Sequence, residues 1–280
     1  MNRTVGVVVD STFGIDPLFQ KENRISVVPL KVIIDGKDYV DGNFDPKLVV
    51  HALENNLEVK TSQPSPEQFI KAFEEQLKLY EYVICMTLSK TLSGTFNSAK
   101  LAKTILENEK VHVIDSESTI NGGGYMTEKL ITYLEEGHDV NQGLLYLEQL
   151  KYQGSILFTI DNLQSLIRSG RIGRVQAMIG NILKIKPILR FKQGVLDLEH
   201  KVRSFGNVIL YLVEETKKLM IHDKVIVRIA YVDQSIKAKE LEHEIYRIDE
   251  KIDVKITGVI SAVVSAHVGL GGLGIYLAYE

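Results

Sequence analysis

The chain has 280 residues, 45% of them hydrophobic and 25% charged, with a formal net charge of −3. That is an ordinary globular composition with enough length to bury a real core, and its acidic balance excludes a surface built as a whole to attract nucleic acid or anionic membrane. Its single cysteine, Cys85 in the apolar run YVICM, excludes an intramolecular disulfide and a multi-cysteine metal site, and reads as a core residue.

The opening MNRTVGVVVDST has too short an apolar part and turns acidic too soon for a signal peptide, so a cytoplasmic location is expected. RTVGVVVD predicts a first strand and SVVPLKVIID a second, whose Asp35-Gly36 followed by KDYV has the form of a hairpin. Asp45-Pro46 opens a short helix to about Asn55, with Pro46 at its first position. In SPEQFIKAFEEQLKLY, Ser65 caps a helix, Pro66 begins it and Gln68 completes a capping box. YVICMTL reads as a strand, a helix follows from about Thr95 to Asn108, VHVID is a short strand, and helices cover about 122–136 and 139–152. Strands alternating with helices in this way predict a mostly parallel sheet with helices on its faces.

From SILFTI onward the texture changes. Short helices are expected around 161–168 and 172–182, then strands PILRF and VLDLEHKVRS joined at Gln193-Gly194. A helix over about 206–220, the strand KVIVRIAYV, a helix over about 235–248 and a strand-rich end complete the chain. The expected fold is therefore α/β, with a first domain over 1–153 and a second, α+β domain over 154–280. Residues 256–279 carry no Asp, Glu, Lys or Arg, which is long enough to span a bilayer. Five glycines and a central His267 suit buried strands and tight loops better, so the stretch reads as core.

Open parallel sheets bind ligands beyond the carboxyl ends of their strands. Asp10-Ser11-Thr12, Thr87-Leu88-Ser89 and Asp115-Ser116 all follow predicted strands, and Thr61-Ser62 precedes the Ser65 helix. Any one of these reads as a helix cap; together they predict a hydroxyl-lined crevice. Ser93, in SKTLSGTFNSAK, is then a nucleophile, a phosphate cradle, a carboxylate clamp or a cap. A nucleophile elbow needs glycine where Thr91 and Thr95 stand, and no acid is marked to orient His267, the best candidate base. No phosphate loop is present, and the G-x-G-x-x-G match at 269–274 leaves six residues, too few for a crossover helix. The seven histidines show no metal-ligand spacing, and His267 is either a core histidine or a polar ligand contact. Residues 168–203 are basic, with Arg168, Arg171, Arg174, Lys184, Lys186, Arg190, Lys192, Lys201 and Arg203 against Asp197 and Glu199. That stretch is a solvated face or a docking surface for an acidic partner or phosphate, and it lacks the interleaved aromatics of an RNA site.

In order along the chain, Asp10-Ser11-Thr12, Thr61-Ser62-Gln63-Pro64-Ser65-Pro66, Leu92-Ser93-Gly94-Thr95 and Ile114-Asp115-Ser116 resemble signature blocks of the DegV family of bacterial fatty-acid-binding proteins. So do Asn162-Leu163 through Gly170-Arg171-Ile172, Lys186-Pro187-Ile188 and Lys201-Val202-Arg203. Two positions depart: Val9 stands where the family often has threonine, and Leu270 where its final block typically has proline. The resemblance implies a fatty acid buried between two domains, with no cofactor and no metal. It implies that Thr61 and Ser93 hold the carboxylate, with Ser62, Gly94 and His267 beside them. It further implies a carrier rather than an enzyme, presenting the lipid to a separate ATP-dependent fatty acid kinase that makes an acyl phosphate. Arg203, then Arg171, are the expected docking residues, with peripheral or no membrane contact. An acyl hydrolase using Ser93 and His267, or a binding module for a sugar or small hydroxy-ketone, are the other readings of the same crevice.

Overall fold

In the computed structural model, which describes residues 3–161, 163–173, 175 and 185–280, the chain forms three sheets. β1 (Val5–Asp10) leads through α1 (Pro17–Glu22) to β2 (Ser26–Val28), and both join a parallel sheet of order β2-β1-β6-β7 with β6 (Tyr82–Thr87) and β7 (Val111–Asp115). All six residues of β1 are buried, as a parallel strand covered on both faces requires. Alternate residues divide between the two covers. Val8, Val83 and Cys85 pack under Phe69 and Phe73 of α3 (Pro66–Leu77) and Ala99 and Ala102 of α4 (Thr95–Leu106). Val7, Ile84 and Met86 pack under α5 (Ile120–Glu135) and α6 (Val140–Gln153). Burial pushes the Cys85 thiol well above its ordinary pKa, in keeping with a core role.

The expected second strand is two strands. Pro29 has no amide to donate, and around it the chain leaves the parallel sheet, so β3 (Lys31–Ile34) joins a separate antiparallel sheet of order β4-β3-β5. β3 and β4 (Lys37–Val40) are linked by Asp35 and Gly36 at φ 49° and 79°, the left-handed pair of a type I′ hairpin. α2 (Lys47–Glu54) has Pro46 at its N-cap, one position earlier than expected. Thr61 and Ser62, which precede the Ser65 helix, lie on a strand, β5 (Val59–Ser62), and the Ser65 amide donates to Gln68 Oε1 at 3.0 Å before α3.

At Gly154 the chain enters a six-stranded mixed sheet of order β10-β9-β8-β13-β11-β12. Its strands are β8 (Gly154–Thr159), β9 (Lys186–Lys192), β10 (Val195–Val202), β11 (Val225–Tyr231), β12 (Ile252–Val259) and β13 (Leu273–Tyr279). α8 (Phe205–Lys218) and α9 (Ser235–Tyr246) bury Leu212 and Leu241 against Val227, Ile229 and Leu277 on one face. α5 touches strands of both large sheets and lies between them. The helix expected near 161–168 is α7 (Gln164–Ser169), while the one expected around 172–182 lies for the most part outside the described residues. The C-terminal stretch read as strands and loops also contains α10 (Ala262–Val268), whose Ala262, Val263 and Ala266 pack on Leu30, Val32 and Val49 beside the small sheet. Among the described residues, no helix is long and apolar enough to cross a membrane. The architecture is mixed α/β, a helix-flanked parallel sheet joined to a second sheet-rich part.

Candidate functional site

Where the three sheets meet there is a cavity of about 370 Å³. Its walls are mostly hydrocarbon: Leu30, Leu88 and Leu92 on one side, Phe158, Phe191 and Ile156 from the six-stranded sheet, and Val263, Val264 and Val268 from α10. Thr61, Ser62, Gln63, Ser93, Arg171 and His267 also line it as a polar pole, in which Thr61 and His267 are hydrogen-bonded, and Thr119, Asn121 and Tyr231 add further polar side chains to the wall.

Thr61 lies on β5, opposite Val32 of β3, and its Oγ1 shares a 2.8 Å hydrogen bond with His267 Nε2. His267 stands on the last turn of α10. Burial, aided by the Arg171 charge, lowers its pKa to about 4, so the ring is neutral at pH 7. Arg171 follows α7 directly, after Gly170 turns the chain at φ 70°. Its Nε donates to Leu92 O at 3.2 Å and its NH1 to Ser169 O at 2.7 Å, so the guanidinium braces the carbonyl next to Ser93.

Ser93 is both a turn-former and a cavity residue. Its Oγ accepts the Thr95 amide at 3.3 Å and pairs with Thr95 Oγ1 at 2.9 Å, where α4 starts. Gly94 is not in the cavity wall. A Cβ there would lie 2.0 Å from Gln63 Oε1, so the glycine lets the segment after Thr61 close against the loop carrying Ser93. Gln63 Nε2 then donates to Ser98 Oγ of α4 at 2.8 Å.

The expected ring of strand-end hydroxyls is only partly realised. Asp10 Oδ1 takes the Thr12 amide at 3.0 Å and the Thr12 hydroxyl at 2.6 Å, while Oδ2 takes the Leu88 amide at 2.6 Å. Burial raises the Asp10 pKa to about 6 despite these bonds. Ser89 and Ser116 are fully buried in similar turns, so these groups latch loops together and leave Thr61, Ser62 and Ser93 to face the cavity. Nor is the basic stretch a continuous face. Arg190 is held by Glu199 and Glu215, and Lys186 by Asp161, while Arg174 and Lys184 lie outside the described residues. Arg203 is exposed just before α8 and does not line the cavity, whereas Arg171, expected on the docking rim, is part of the wall.

Asp41 is a residue that sequence reasoning missed. It is 4% exposed, its Oδ1 accepts the Ala262 amide at 3.0 Å, and its Oδ2 accepts the Ser11 hydroxyl at 2.7 Å. Ser11 Oγ in turn accepts the Leu30 amide at 3.1 Å, so one carboxylate fixes α10, the end of β1 and the start of β3 together. Burial raises its pKa as well. Nothing local marks Asp41; its partner Ala262 is 221 positions away.

This arrangement can orient one small acidic or polar head group and bury an apolar remainder. It is poorly set for acyl transfer, because His267 Nε2 is engaged by Thr61 and Ser93 Oγ by Thr95, with no hydrogen bond between Ser93 and His267 among those of the described residues.

Known proteins are similar to this chain over nearly its whole length. A DegV domain-containing protein of Staphylococcus aureus (strain MRSA252) is 34% identical over 274 residues, covering 96% of each chain. One of Listeria monocytogenes is 32% identical over 283 residues, covering 98% of each. Among solved structures, a DegV family protein of Thermus thermophilus, described by its fatty acid binding, superposes with a TM-score of 0.93 at 27% identity, over 99% of this chain and 100% of that one. DegV of Bacillus subtilis, described as a fatty acid binding protein, gives 0.87 at 27% identity over 100% of both. A stearic acid-binding protein of Eubacterium ventriosum gives 0.87 at 25% identity over 98% of both. The family model described as "Uncharacterised protein, DegV family" matches residues 4–280, through every segment that builds the cavity, and the chain belongs to that family.

Proposed function

We propose that this chain binds a long-chain fatty acid in the cavity, with the carboxylate at Thr61, Ser93 and His267 and the acyl chain along the apolar walls. The observation that supports this reading is a mostly hydrocarbon cavity with the hydrogen-bonded Thr61–His267 pair, Ser93 and Arg171 in its wall, in a fold whose solved relatives are described as binding fatty acids. The magnitudes divide the labour. A hydrogen bond to a charged group contributes about 1.5–3 kcal/mol. Burying a long acyl chain contributes about 0.8 kcal/mol per methylene, on the order of 10 kcal/mol before ordering costs. The walls therefore supply affinity and the polar pole supplies register, with Ser62 and Gly94 supporting the two clamp segments.

We further propose a cytoplasmic carrier of two domains, 1–153 and 154–280, with the lipid between them. It presents the carboxylate to a separate ATP-dependent kinase for acyl phosphate formation and itself catalyses no step. The test is to denature the purified protein and identify extracted lipid by mass spectrometry, then add fatty acid and candidate kinase with ATP. Stoichiometric free fatty acid and kinase-dependent acyl phosphate are the expected results. A protein that neither retains nor binds fatty acid, or that turns over acyl esters unaided, overturns the reading.

A further inference from the structure

The register of the six-stranded sheet gives the cavity a floor. Tyr276 on β13 stands opposite Ile156 on β8, Ile156 opposite Phe191 on β9, and Phe191 opposite Leu196 on β10. These four residues make one row across four neighbouring strands, and all four line the cavity. The next row on the same face, Gly274 opposite Phe158, lines it too. On β13 the lining runs from Leu273 to Tyr276 and stops, leaving out Leu277, Ala278 and Tyr279. β13 starts shortly after His267, so the cavity descends along it by three residues, about 10 Å at the rise of an extended strand.

Tyr276 is the bulkiest member of the row and is fixed on two sides. It is 3% exposed, and its ring centroid lies 5.4 Å from that of Tyr125. Its hydroxyl occupies the space over Gly154, where a Cβ would come within 2.2 Å of the oxygen. Beyond it is a second, much smaller space of about 10 Å³, which Ser116, Ser118, Lys151 and Gln193 line together with Tyr276 and Phe191. Tyr276 and Phe191 are thus a party wall, with the mostly hydrocarbon cavity on one side and, on the other, hydroxyls and a lysine beside Met126 and Leu150. An acyl chain lengthened past this wall must displace a packed ring and enter polar surroundings, both unfavourable.

We infer that the row Leu196–Phe191–Ile156–Tyr276 sets the longest acyl chain this protein accepts, and that Tyr276 determines the limit. The inference rests on the fatty-acid reading of the cavity. Up to the limit, each added methylene buries more hydrocarbon and tightens binding about fourfold, the equivalent of about 0.8 kcal/mol. Past it, affinity falls.

The test titrates the full-length, delipidated protein with a series of saturated fatty acids that differ by one methylene. Wild type is expected to tighten stepwise to one optimal length and then weaken. Tyr276→Leu should move the optimum to longer chains by at least one methylene, Tyr276→Phe should leave it in place, and Ile156→Phe, which thickens the floor, should move it to shorter ones. Ile156→Phe reads the row independently of whether Tyr276→Leu folds. Folded variants with the wild-type optimum overturn the ruler alone. A wild-type protein that binds no member of the series overturns the fatty-acid reading, and the ruler with it.

Discussion

His267 gives the reasoning its sharpest quantitative test. Its pKa is about 4 in the folded protein against an ordinary 6.5, because burial and the Arg171 charge disfavour the imidazolium. A histidine with a depressed folded pKa contributes stability that is present above pH 6.5. That stability is lost as the pH falls from 6.5 toward 4, where the unfolded chain takes up a proton that the folded one refuses. At 1.36 kcal/mol per pKa difference of one, the loss reaches about 2.5 kcal/mol by pH 4.5. Asp10 acts in the opposite sense. Its folded pKa of about 6 exceeds its ordinary 3.8, so the penalty of its buried charge is relieved as the pH falls through 6. The measurement is therefore a difference. Urea unfolding of delipidated wild type and His267→Gln is followed from pH 7.5 to 4.5, and the two stabilities converge by about 2.5 kcal/mol if wild type starts above the variant. Parallel curves, or an NMR titration of the His267 ring centred near 6.5 in the unliganded protein, would refute the argument. A carboxylate beside the ring favours the imidazolium, so the same titration repeated with fatty acid should move to higher pH, and binding should strengthen as the pH drops from 7 toward 5.

Thr61→Val and Ser93→Ala should each weaken fatty acid retention by about 10-fold to 100-fold, the equivalent of one hydrogen bond to a charged group, as measured by competition binding. Normal retention in both would remove the hydroxyls from the head-group contact. Asp41→Ala breaks the bonds to Ala262 and Ser11 and should cost about 2–3 kcal/mol in urea unfolding while also weakening binding. Asp41→Asn should recover part of both losses, and a variant as stable as wild type would refute the latch. Arg203→Ala should leave fatty acid binding unchanged and lower acyl phosphate yield with the kinase, in a way that depends on salt. Equal yields at physiological salt would take Arg203 off the docking surface.

Where local chemistry decides, the sequence was readable. Asp35-Gly36 dictated a left-handed turn, Ser65-Pro66 and Gln68 announced α3, and the unbroken run in β1 demanded burial on both faces. Pro29 could have warned that SVVPLKVIID is two strands, but its effect is visible only once the small sheet draws β3 away. α10 was hidden by the glycines around it, since Ala262–Val268 carries no charge and no polar face from which to read a helical period. At the site, the block pattern pointed to Thr61, Ser93 and His267. Their juxtaposition could not come from spacing, because Thr61 and His267 are 206 residues apart. Arg171 illustrates the limit: its block and local charge suggested a docking rim, and only the folded chain brings the Leu92 and Ser169 carbonyls within reach of its guanidinium.

The cavity wall draws on residues from Leu30 to Tyr276, including the small sheet, the turn before α4, α10 and the six-stranded sheet. No single element or short stretch contains it, so the site is an emergent property of the folded chain. A ligand bound there contributes its free energy against global unfolding, not against the loosening of one element. At a hundredfold excess over Kd that is about 2.7 kcal/mol, comparable to the effect of a structural cross-link. Loaded and empty forms of this protein should consequently differ in protease resistance along their entire length. If the ligand is the proposed fatty acid, its supply would then govern how long each copy of the protein survives.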